Sequence, residues 1–372
     1  MNTAAQAAAL FFSPSKLTQA RQMLGITRAE LARRANLSAA AVSQYESGTS
    51  RPRGKSLAEL ALALEVPVEF LTDRRDPPRL PLGDEAFFRS LRRTSKRKRD
   101  QAVAYAGLVA QLVSEIERHA QLPAYEQVEG MAMDPDDPPE HAEKAAEEIR
   151  ARWDLGSDPV PHVVRLLERR GLIVTRLPLS EEVDAFSWVA GPRPLVLLGT
   201  DKRDFERSRF DAAHELAHVV LHAADPEPAN PAMEKQAHRF AGALLIPEGA
   251  IRNEWPQGRW NWSHLVEIKQ RWGISIGALL IRGRHLGLIS PSQYENRMKY
   301  MSRMGWRRRE PGGGTSPERP ELLDQALGLL QQNGIPLEQL AAEGKLLPPA
   351  RLKERLGLSP RAPVTVIPSD SV

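Results

Sequence analysis

The sequence of 372 residues contains no cysteine. Disulfide bonds and thiolate chemistry are therefore excluded, and any bound metal ion needs histidine and carboxylate ligands. Only 6% of the residues are aromatic, so aliphatic side chains must fill most of the cores. No apolar run approaches the ~20 residues that span a bilayer, and the N-terminus lacks the basic flank of a signal peptide. We expect a cytoplasmic protein without a membrane partner.

Charge and proline content divide the chain, and its length predicts two or three domains at roughly 100–200 residues each. The expected parts are a tail over 1–12, a compact helical domain over 13–73, a basic linker helix with a Pro-rich linker over 74–139, a mixed α and β domain over 140–310, and a C-terminal linker with short helices over 311–372.

Two adjacent helices in the N-terminal domain carry the clearest capping signals. Thr27 and Glu30 form a capping box that predicts a helix over 28–35. Ser38 is suited to cap the next helix, over 39–46. The turn between the two helices is so tight that the second one must project outward, which is the geometry that lets a helix enter the DNA major groove.

Two further helices complete this domain. A first helix is predicted over 16–24, and a capping box at Ser56 and Glu59 predicts the start of a fourth. The apolar residues that we expect to form the core are Ala32, Leu37, Val42, Leu57, Leu60, Leu64 and Leu71.

The segment ITRAELARRANLSAAAVSQYESGTSRP resembles the Xre/phage-repressor helix-turn-helix family. The resemblance implies a double-stranded DNA operator as partner, and it places Ala39, Ala40, Ser43 and Gln44 at base-facing positions. Gln44 is suited to pair with adenine, and Ala39 or Ala40 to touch a thymine methyl group. Candidate phosphate contacts are Arg28, Arg51, Arg53 and Lys55. Because alanine reads bases poorly, protein binding is the alternative interpretation of this domain.

A helix over 101–122 follows the basic run from Arg89 to Arg99, and its apolar residues recur at helical spacing. This stripe either pairs two copies of the chain, as in regulators that read two DNA half-sites, or packs inside one monomer. The basic run is either a solvated face or a contact to the DNA backbone.

His214 and His218 flank Glu215 in an HExxH motif. Residues i and i+4 share a helix face, so both imidazoles can reach one ion. The intervening glutamate lies where it can act on a water molecule at that ion. Apolar flanks such as Phe210 and Leu216 indicate a buried helix, where a zinc site is expected.

A catalytic zinc site needs a third protein ligand and an open position. The metzincin pattern is excluded, because it requires glycine and histidine where this chain has Leu221 and Ala224. The next predicted helix contains MEKQAHRFAGALLIP, and Glu234 in that segment is the candidate third ligand.

Two more histidines are candidates for a supporting role around the ion. His238 lies one turn after Glu234 and is suited to orient a ligand. His222 continues the helix face of His218, either as such a partner or as a helix-end histidine whose hydrogen bonds are satisfied.

The segments RFDAAHELAHVVLH, at 209–222, and MEKQAHRFAGALLIP, at 233–247, resemble the ImmA/IrrE metallopeptidase family. Asp184 to Trp188, followed by PLVLLGT at 194–200, is similar to that family's pair of short strands near the site. The resemblance implies a small α+β zincin-like domain with Zn2+ as cofactor. It implies Glu215 as the base and the zinc ligands His214, His218 and Glu234.

Members of this family cleave Xre-type repressors and so switch genes on. The chain carries both kinds of domain, which predicts a DNA-binding transcriptional regulator with a zinc endopeptidase domain that cleaves an Xre-type repressor or itself. The alternative is a catalytically silent transcription factor or antitoxin-like regulator, whose zincin fold senses a ligand or partner. Glu215 favours the peptidase, since a purely structural site needs no base. The predicted fold is multidomain and mainly α, with an N-terminal all-α lambda-repressor-like domain and the small zincin-like domain.

Overall fold

The computed structural model describes residues 9–73, 75, 95–177, 185–189, 193–200, 204–222, 230–314 and 316–359. Some sequence predictions fall outside these ranges, namely most of the tail over 1–12, the basic residues Arg89, Arg92 and Arg93, the strand residue Asp184, and the chain end. Among the described residues, no helix has the length and apolar character needed to cross a membrane.

The N-terminal domain contains the four expected helices: α1 (Pro14–Met23), α2 (Arg28–Arg34), α3 (Ala39–Glu46) and α4 (Gly54–Leu64). Thr27 Oγ1 accepts a hydrogen bond of 3.2 Å from the Glu30 N–H, and Ser38 Oγ accepts one of 3.1 Å from the Ala41 N–H. Both N-terminal caps are thus confirmed. The Glu30 carboxylate, however, binds Arg33 and Arg34 instead of reaching back to the cap.

The predicted start of the fourth helix at Ser56 is wrong. α4 begins at Gly54, and its N-cap Arg53 makes no side-chain capping hydrogen bond. Arg53 has an extended backbone directly after Pro52, so the chain enters the helix two residues before the capping signal. Ser56 therefore lies in the first turn of α4.

The long helix α5 (Lys96–Glu117) packs inside the monomer. Its apolar stripe, which includes Tyr105, Leu108 and Leu112, is buried. The stripe contacts α1 on one side and the C-terminal helices on the other. Of the two interpretations of this stripe, the structure thus supports packing within one chain.

The remaining elements of the chain are a small sheet and the helices around it. Its elements are α6 (Pro139–Arg152), α7 (Val163–Arg169), β1 (Ile173–Leu177), β2 (Ala185–Trp188), β3 (Leu195–Gly199), α8 (Phe205–Leu221), α9 (Pro231–Leu245), α10 (Glu248–Glu254), α11 (Trp262–Trp272), α12 (Ile276–His285), α13 (Pro291–Arg303), α14 (Leu322–Gln332), α15 (Leu337–Glu343) and α16 (Pro349–Leu356). This mainly helical architecture with one small sheet confirms the predicted fold class.

The strands are ordered β1-β3-β2. β3 pairs in parallel with β1, with Leu195 opposite Ile173, and antiparallel with β2, with Leu198 opposite Ala185. β2 is therefore an end strand of the described sheet, and α8 packs on both β2 and β3.

The sheet separates two hydrophobic cores, because successive strand side chains point to opposite faces. One face joins α1 to α5 and α14 to α16 in a core that we call the N-terminal core; its strand members are Ile173, Leu177, Phe186, Trp188, Leu195 and Leu197. The other face joins α6 to α13 in the second core; its strand members are Val174, Ala185, Val196 and Leu198.

A segment that we call the strap, residues 310–314 and 316–318, crosses the N-terminal end of α8. Glu318 forms a buried ion pair with Arg209 and accepts a hydrogen bond of 2.9 Å from the Val164 N–H. The Gly314 N–H donates to Glu206 at 2.9 Å. These contacts fix the start of α8, one to two turns before the HExxH motif.

Candidate metal centre and nucleic-acid interface

α8 and α9 pack closely enough to present their polar residues to one another. Both helices carry small, fully buried side chains, namely Ala213 and Ala217 of α8 and Ala237 and Ala241 of α9. Because alanine extends only to Cβ, the two helix axes can approach closely here. The contact brings Glu234 of α9 beside the histidines of α8.

Three candidate ligand atoms face one another at this contact. His214 Nε2 and His218 Nε2 are 3.2 Å apart, His214 Nε2 is 3.3 Å from Glu234 Oε2, and His218 Nε2 is 3.4 Å from Glu234 Oε1. A tetrahedral zinc ion with bonds of about 2.0–2.1 Å separates its ligand atoms by about 3.3 Å. The two imidazoles and the carboxylate therefore fit a zinc ion, and the chemistry of the donors suits that metal.

The charge state of Glu234 matches this arrangement. Burial alone would raise its pKa, but the hydrogen bonds and charges of His214 and His218 hold the pKa well below its usual value. The carboxylate is thus ionised beside two imidazoles, as a metal ligand must be.

Glu215 of α8 interacts with Ser187 of β2, on which α8 packs. Its carboxyl group is buried, and burial raises its pKa to about 7, although Ser187 and His218 oppose this shift. The Oε2 atom accepts no hydrogen bond from any described residue. The side chain is thus held next to the ligand cluster with one oxygen uncommitted.

His222 is buried at the C-terminal end of α8, and both of its ring nitrogens have partners. Its Nδ1 lies 3.1 Å from Nδ1 of His218, and its Nε2 lies 2.9 Å from Oε1 of Gln236. Gln236 Nε2 donates to the backbone carbonyls of Asp134 and Asp137 at 2.8 and 3.0 Å. Burial and the neighbouring His218 lower the pKa of His222 to about 4, so the ring is neutral.

This chain of hydrogen bonds fixes the protons on two histidines. Because the amide nitrogen of Gln236 is occupied by two carbonyls, its oxygen accepts from His222 Nε2–H. The neutral His222 then accepts at Nδ1 from His218 Nδ1–H. In the neutral form of His218, the form that binds a metal ion, Nε2 therefore carries the lone pair, and this atom faces Glu234 in the cluster of ligand atoms.

His238 occupies the exposed edge of the site. Its ring lies 4.6 Å from that of His214 and 5.6 Å from that of Phe210, measured between centroids. One of its nitrogens also lies within 4.8 Å of ligand atoms of His214 and Glu234. This position is compatible with orienting a ligand or with joining the ligand set, so the supporting role of His238 stays a prediction.

Gln236 and Ser187 are the site residues that sequence reasoning missed. Gln236 is completely buried, yet it lies only two residues from Glu234, a spacing that places it off the Glu234 face of α9. The sequence pattern that could have indicated Gln236 is the i, i+4 spacing of His218 and His222, because a buried His222 at the end of this series needs a polar partner. Ser187 lies on a strand and has no spacing relation to the motif.

The predicted DNA-facing residues lie on one open part of the N-terminal domain. α3 is the second helix of the pair, and only Val42 of its residues is buried. Every candidate contact is exposed: Arg28, Ala39, Ala40, Ser43, Gln44, Arg51, Arg53 and Lys55. Arg28 is partly committed, because its Nε donates to Glu46 at 2.6 Å. Their roles in DNA recognition stay predictions.

Comparison with family models separates the same two regions. Residues 17–71 match the model described as helix-turn-helix, and residues 167–283 match a peptidase model described as the IrrE N-terminal-like domain. The chain joins an Xre-like helix-turn-helix to an ImmA/IrrE-like domain. The IrrE-like region contains β1 to α11 and most of α12, and thus the whole ligand cluster. No curated protein matches the chain.

The two matches give the coarse function of this helix-turn-helix/IrrE-like protein. It is a DNA-binding regulator of transcription with a protease-like domain of a metallopeptidase family. Both recognised resemblances are confirmed, and the family of the second domain is generally zinc-dependent.

Proposed function

We propose that this regulator is a zinc-dependent endopeptidase that cleaves an Xre-type repressor or its own chain and so switches gene expression. The observation that carries the proposal is the set of separations of 3.2–3.4 Å among His214, His218 and Glu234, with the buried Glu215 beside them. A structural zinc site uses four protein ligands and no base, whereas a catalytic site uses three ligands and leaves a position open.

Residues of this chain would hold the ion, act as the base and orient a ligand. His214, His218 and Glu234 would hold the ion, which would supply Lewis acidity towards a peptide carbonyl group and a water molecule. Glu215 then takes a proton from the attacking water and delivers it to the leaving amine. His222 and Gln236 keep His218 in the tautomer that presents Nε2.

The helix-turn-helix domain would bring this activity to DNA. The exposed residues of α3 would contact the operator, and a second copy of the chain would contact the second half-site. We also propose a cytoplasmic location, because a DNA partner is found there in a cell without a nucleus. Cleavage of a bound repressor, or of this chain, would remove a DNA-binding domain from its operator.

The decisive experiment compares the protein with its Glu215→Gln variant. Both are loaded with zinc, their metal content is measured, and each is incubated with candidate Xre-type repressors and with the full-length chain. We expect equal zinc content and cleavage products only with the native protein. If both bind zinc and neither cuts any target, the proposal is wrong and the fold acts as a sensor of a ligand or partner.

A dilution series separates the two substrates. Self-cleavage within one chain proceeds at a rate independent of protein concentration, whereas cleavage of another molecule slows on dilution. Adding native protein to a labelled Glu215→Gln chain tests cleavage between copies directly. If a separate Xre-type repressor is cleaved faster than this chain, the repressor is the substrate.

A further inference from the structure

A cavity of about 690 Å³ opens beside the ligand cluster. α8, α9, α12 and α13 form its walls together with residues 306–310. Pockets of roughly 300–1,000 Å³ hold ligands larger than a single side chain. The volume therefore suits a short stretch of several apolar groups.

The cavity and the metal centre share a wall of two rings. Phe210 lies one turn before His214 on α8, and His238 lies one turn after Glu234 on α9. The rings of Phe210 and His238 are 5.6 Å apart, and that of His238 is 4.6 Å from His214. Residues of an extended chain advance ~3.3 Å each. A residue one or two positions from a bond held at the centre can thus place its side chain in the cavity.

The inner surface of the cavity is mainly apolar. Among the residues that line it, Met301 is buried, and Ala278, Met298 and Trp306 are half-buried. Ile281 is exposed at the opening, with 41% of its surface accessible. Such a surface favours aliphatic groups, which gain free energy by leaving water.

The charged groups around the cavity are mostly basic, five against three. Arg239 and Arg282 are buried and share the carboxylate of Glu143. Glu310 is committed, because it binds Lys269 and caps α12 through the N–H groups of Ile276 and Gly277.

The exposed part of the rim carries the remaining charge. Arg207 is paired there with Asp204 at 3.4 Å, and Glu140 and the partly buried Asp211 are acidic. Lys235 and Arg307 are the exposed cations for which the structure shows no ion pair within the described residues. Cations beside an apolar interior attract an apolar group with carboxylates next to it.

We propose that this cavity binds an apolar segment of a polypeptide, two or three residues long and flanked by acidic residues, next to the bond at the metal centre. The assignment to cleavage rests on the proposed peptidase function, whereas the binding itself does not. Ala278 and Ile281 set the apolar preference, and Lys235 and Arg307 the preference for acidic flanks.

The test measures binding without turnover. Three fluorescein-labelled peptides are compared by fluorescence anisotropy on the zinc-loaded Glu215→Gln protein. The first has a Leu-Met-Leu core between glutamates, the second a Ser-Gly-Ser core between glutamates, and the third the first core between lysines. We expect the first peptide to bind roughly tenfold more tightly than either of the others.

Variants locate the binding in the cavity. Ala278→Trp fills the interior and Ile281→Glu places a carboxylate at the opening, so each is expected to remove the preference for the apolar core. Arg307→Glu is expected to favour the lysine-flanked peptide. Arg308→Glu is the matched control, because Arg308 is also exposed but does not line the cavity. Thermal unfolding and zinc content verify that each variant is folded.

Each outcome decides the proposal. Equal binding of the Leu-Met-Leu and Ser-Gly-Ser peptides, or unchanged binding by Ala278→Trp and Ile281→Glu together, overturns it. Dodecanoate that binds in the cavity while all peptides fail would assign the site to a small amphipathic acid instead. Peptide binding with the expected preference, but no cleavage by the native protein, would support the cavity and reject only the peptidase function.

Discussion

Gln236 Oε1 and His222 Nε2 are joined by a hydrogen bond of 2.9 Å. A second hydrogen bond joins His222 to His218, so two hydrogen bonds connect Gln236 to the ring that carries a candidate ligand atom. The amide itself is anchored by two backbone carbonyls that precede α6. A group remote from the ion thus determines which nitrogen of His218 is available to it.

The substitution Gln236→Leu is expected to weaken zinc binding 10–100-fold, the range typical for loss of a partner that orients a metal ligand. The reason is that His222 loses its acceptor, and His218 then exchanges between tautomers. Competition with a chromophoric chelator measures the affinity. The ring nitrogens of His218, observed by NMR without metal, report the tautomer separately from any general loss of stability. Unchanged affinity together with an unchanged tautomer would contradict the relay.

Zinc is expected to stabilise the folded protein, and Glu234→Ala should lose most of that gain. Binding to the native state alone adds about 4 kcal/mol to the free energy of unfolding at a zinc concentration 1,000 times the dissociation constant. Thermal unfolding with zinc and with EDTA measures the difference. Glu148→Ala is a suitable control, because Glu148 is exposed on α6 and belongs to neither group of candidate metal ligands among the described residues. A zinc-dependent shift of equal size in Glu234→Ala would argue against Glu234 as a ligand.

Gly314→Ala is expected to destabilise the strap. A Cβ atom at position 314 would lie 2.6 Å from the ring of Phe205, so the backbone would have to shift and weaken the hydrogen bond to Glu206. Overpacking of this kind costs about 1–3 kcal/mol. At Gly313 the nearest atom to an added Cβ is 3.6 Å away, an ordinary contact. Urea unfolding should therefore separate the two variants, and equal stabilities would refute this explanation.

The stability of the protein should depend on pH through Glu168. Burial raises the pKa of Glu168 to about 7 from its ordinary 4.5, although the N–H groups of Leu322 and Glu321 donate to the carboxylate and oppose the shift. Between these two pH values the unfolded chain loses this proton while the folded chain keeps it. The free energy of unfolding therefore falls as the pH rises through that window, by at most about 1.4 kcal/mol per pH unit.

Glu168→Gln tests this dependence, because its amide oxygen can keep the two hydrogen bonds that Oε1 accepts from the N–H groups of Glu321 and Leu322, and the amide does not ionise. Unfolding by urea is followed at several pH values between 4.5 and 7.5 in both proteins. The native curve should fall relative to the variant across this range and run parallel to it on either side. Parallel curves throughout would mean that Glu168 ionises normally in the folded protein.

Two of the predicted DNA contacts should affect binding in different ways. Gln44→Ala is expected to cost about 1–3 kcal/mol on the operator and to relax specificity at one base pair. Arg53→Ala should weaken binding to all sequences equally and reduce the slope of log affinity against log salt by about 1. Titrations at several salt concentrations distinguish these results. Lys144→Ala on α6 is the control for a general loss of positive charge.

The parts of this structure that depend on local chemistry could be predicted from the sequence. α3 has the predicted bounds, because Ser38 supplies the cap and the helix ends before Gly48. The two histidines of the HExxH motif share one helix face, and the position of Glu234 within the next helix brings its carboxylate to the same place. The ligand assignments themselves stay predictions.

The features that the sequence did not predict depend on contacts between residues far apart in the chain. Gln236 is anchored by backbone carbonyls about 100 residues away, and a carbonyl group leaves no mark in the sequence. The breaker-rich stretch from Gly312 onwards forms part of a packed strap, because its glycines fit against Phe205 and Val266. Composition alone cannot distinguish a glycine in such a contact from one in an open linker.

The three strands between the two cores have a consequence for how the protein comes apart. If one half unfolds and leaves the sheet, aliphatic side chains of the strands become exposed to water. The helix-turn-helix domain and the protease-like half are therefore expected to unfold together in one transition. Cleavage of the chain near these strands would then lower the affinity for the operator, even if every predicted DNA contact remained intact.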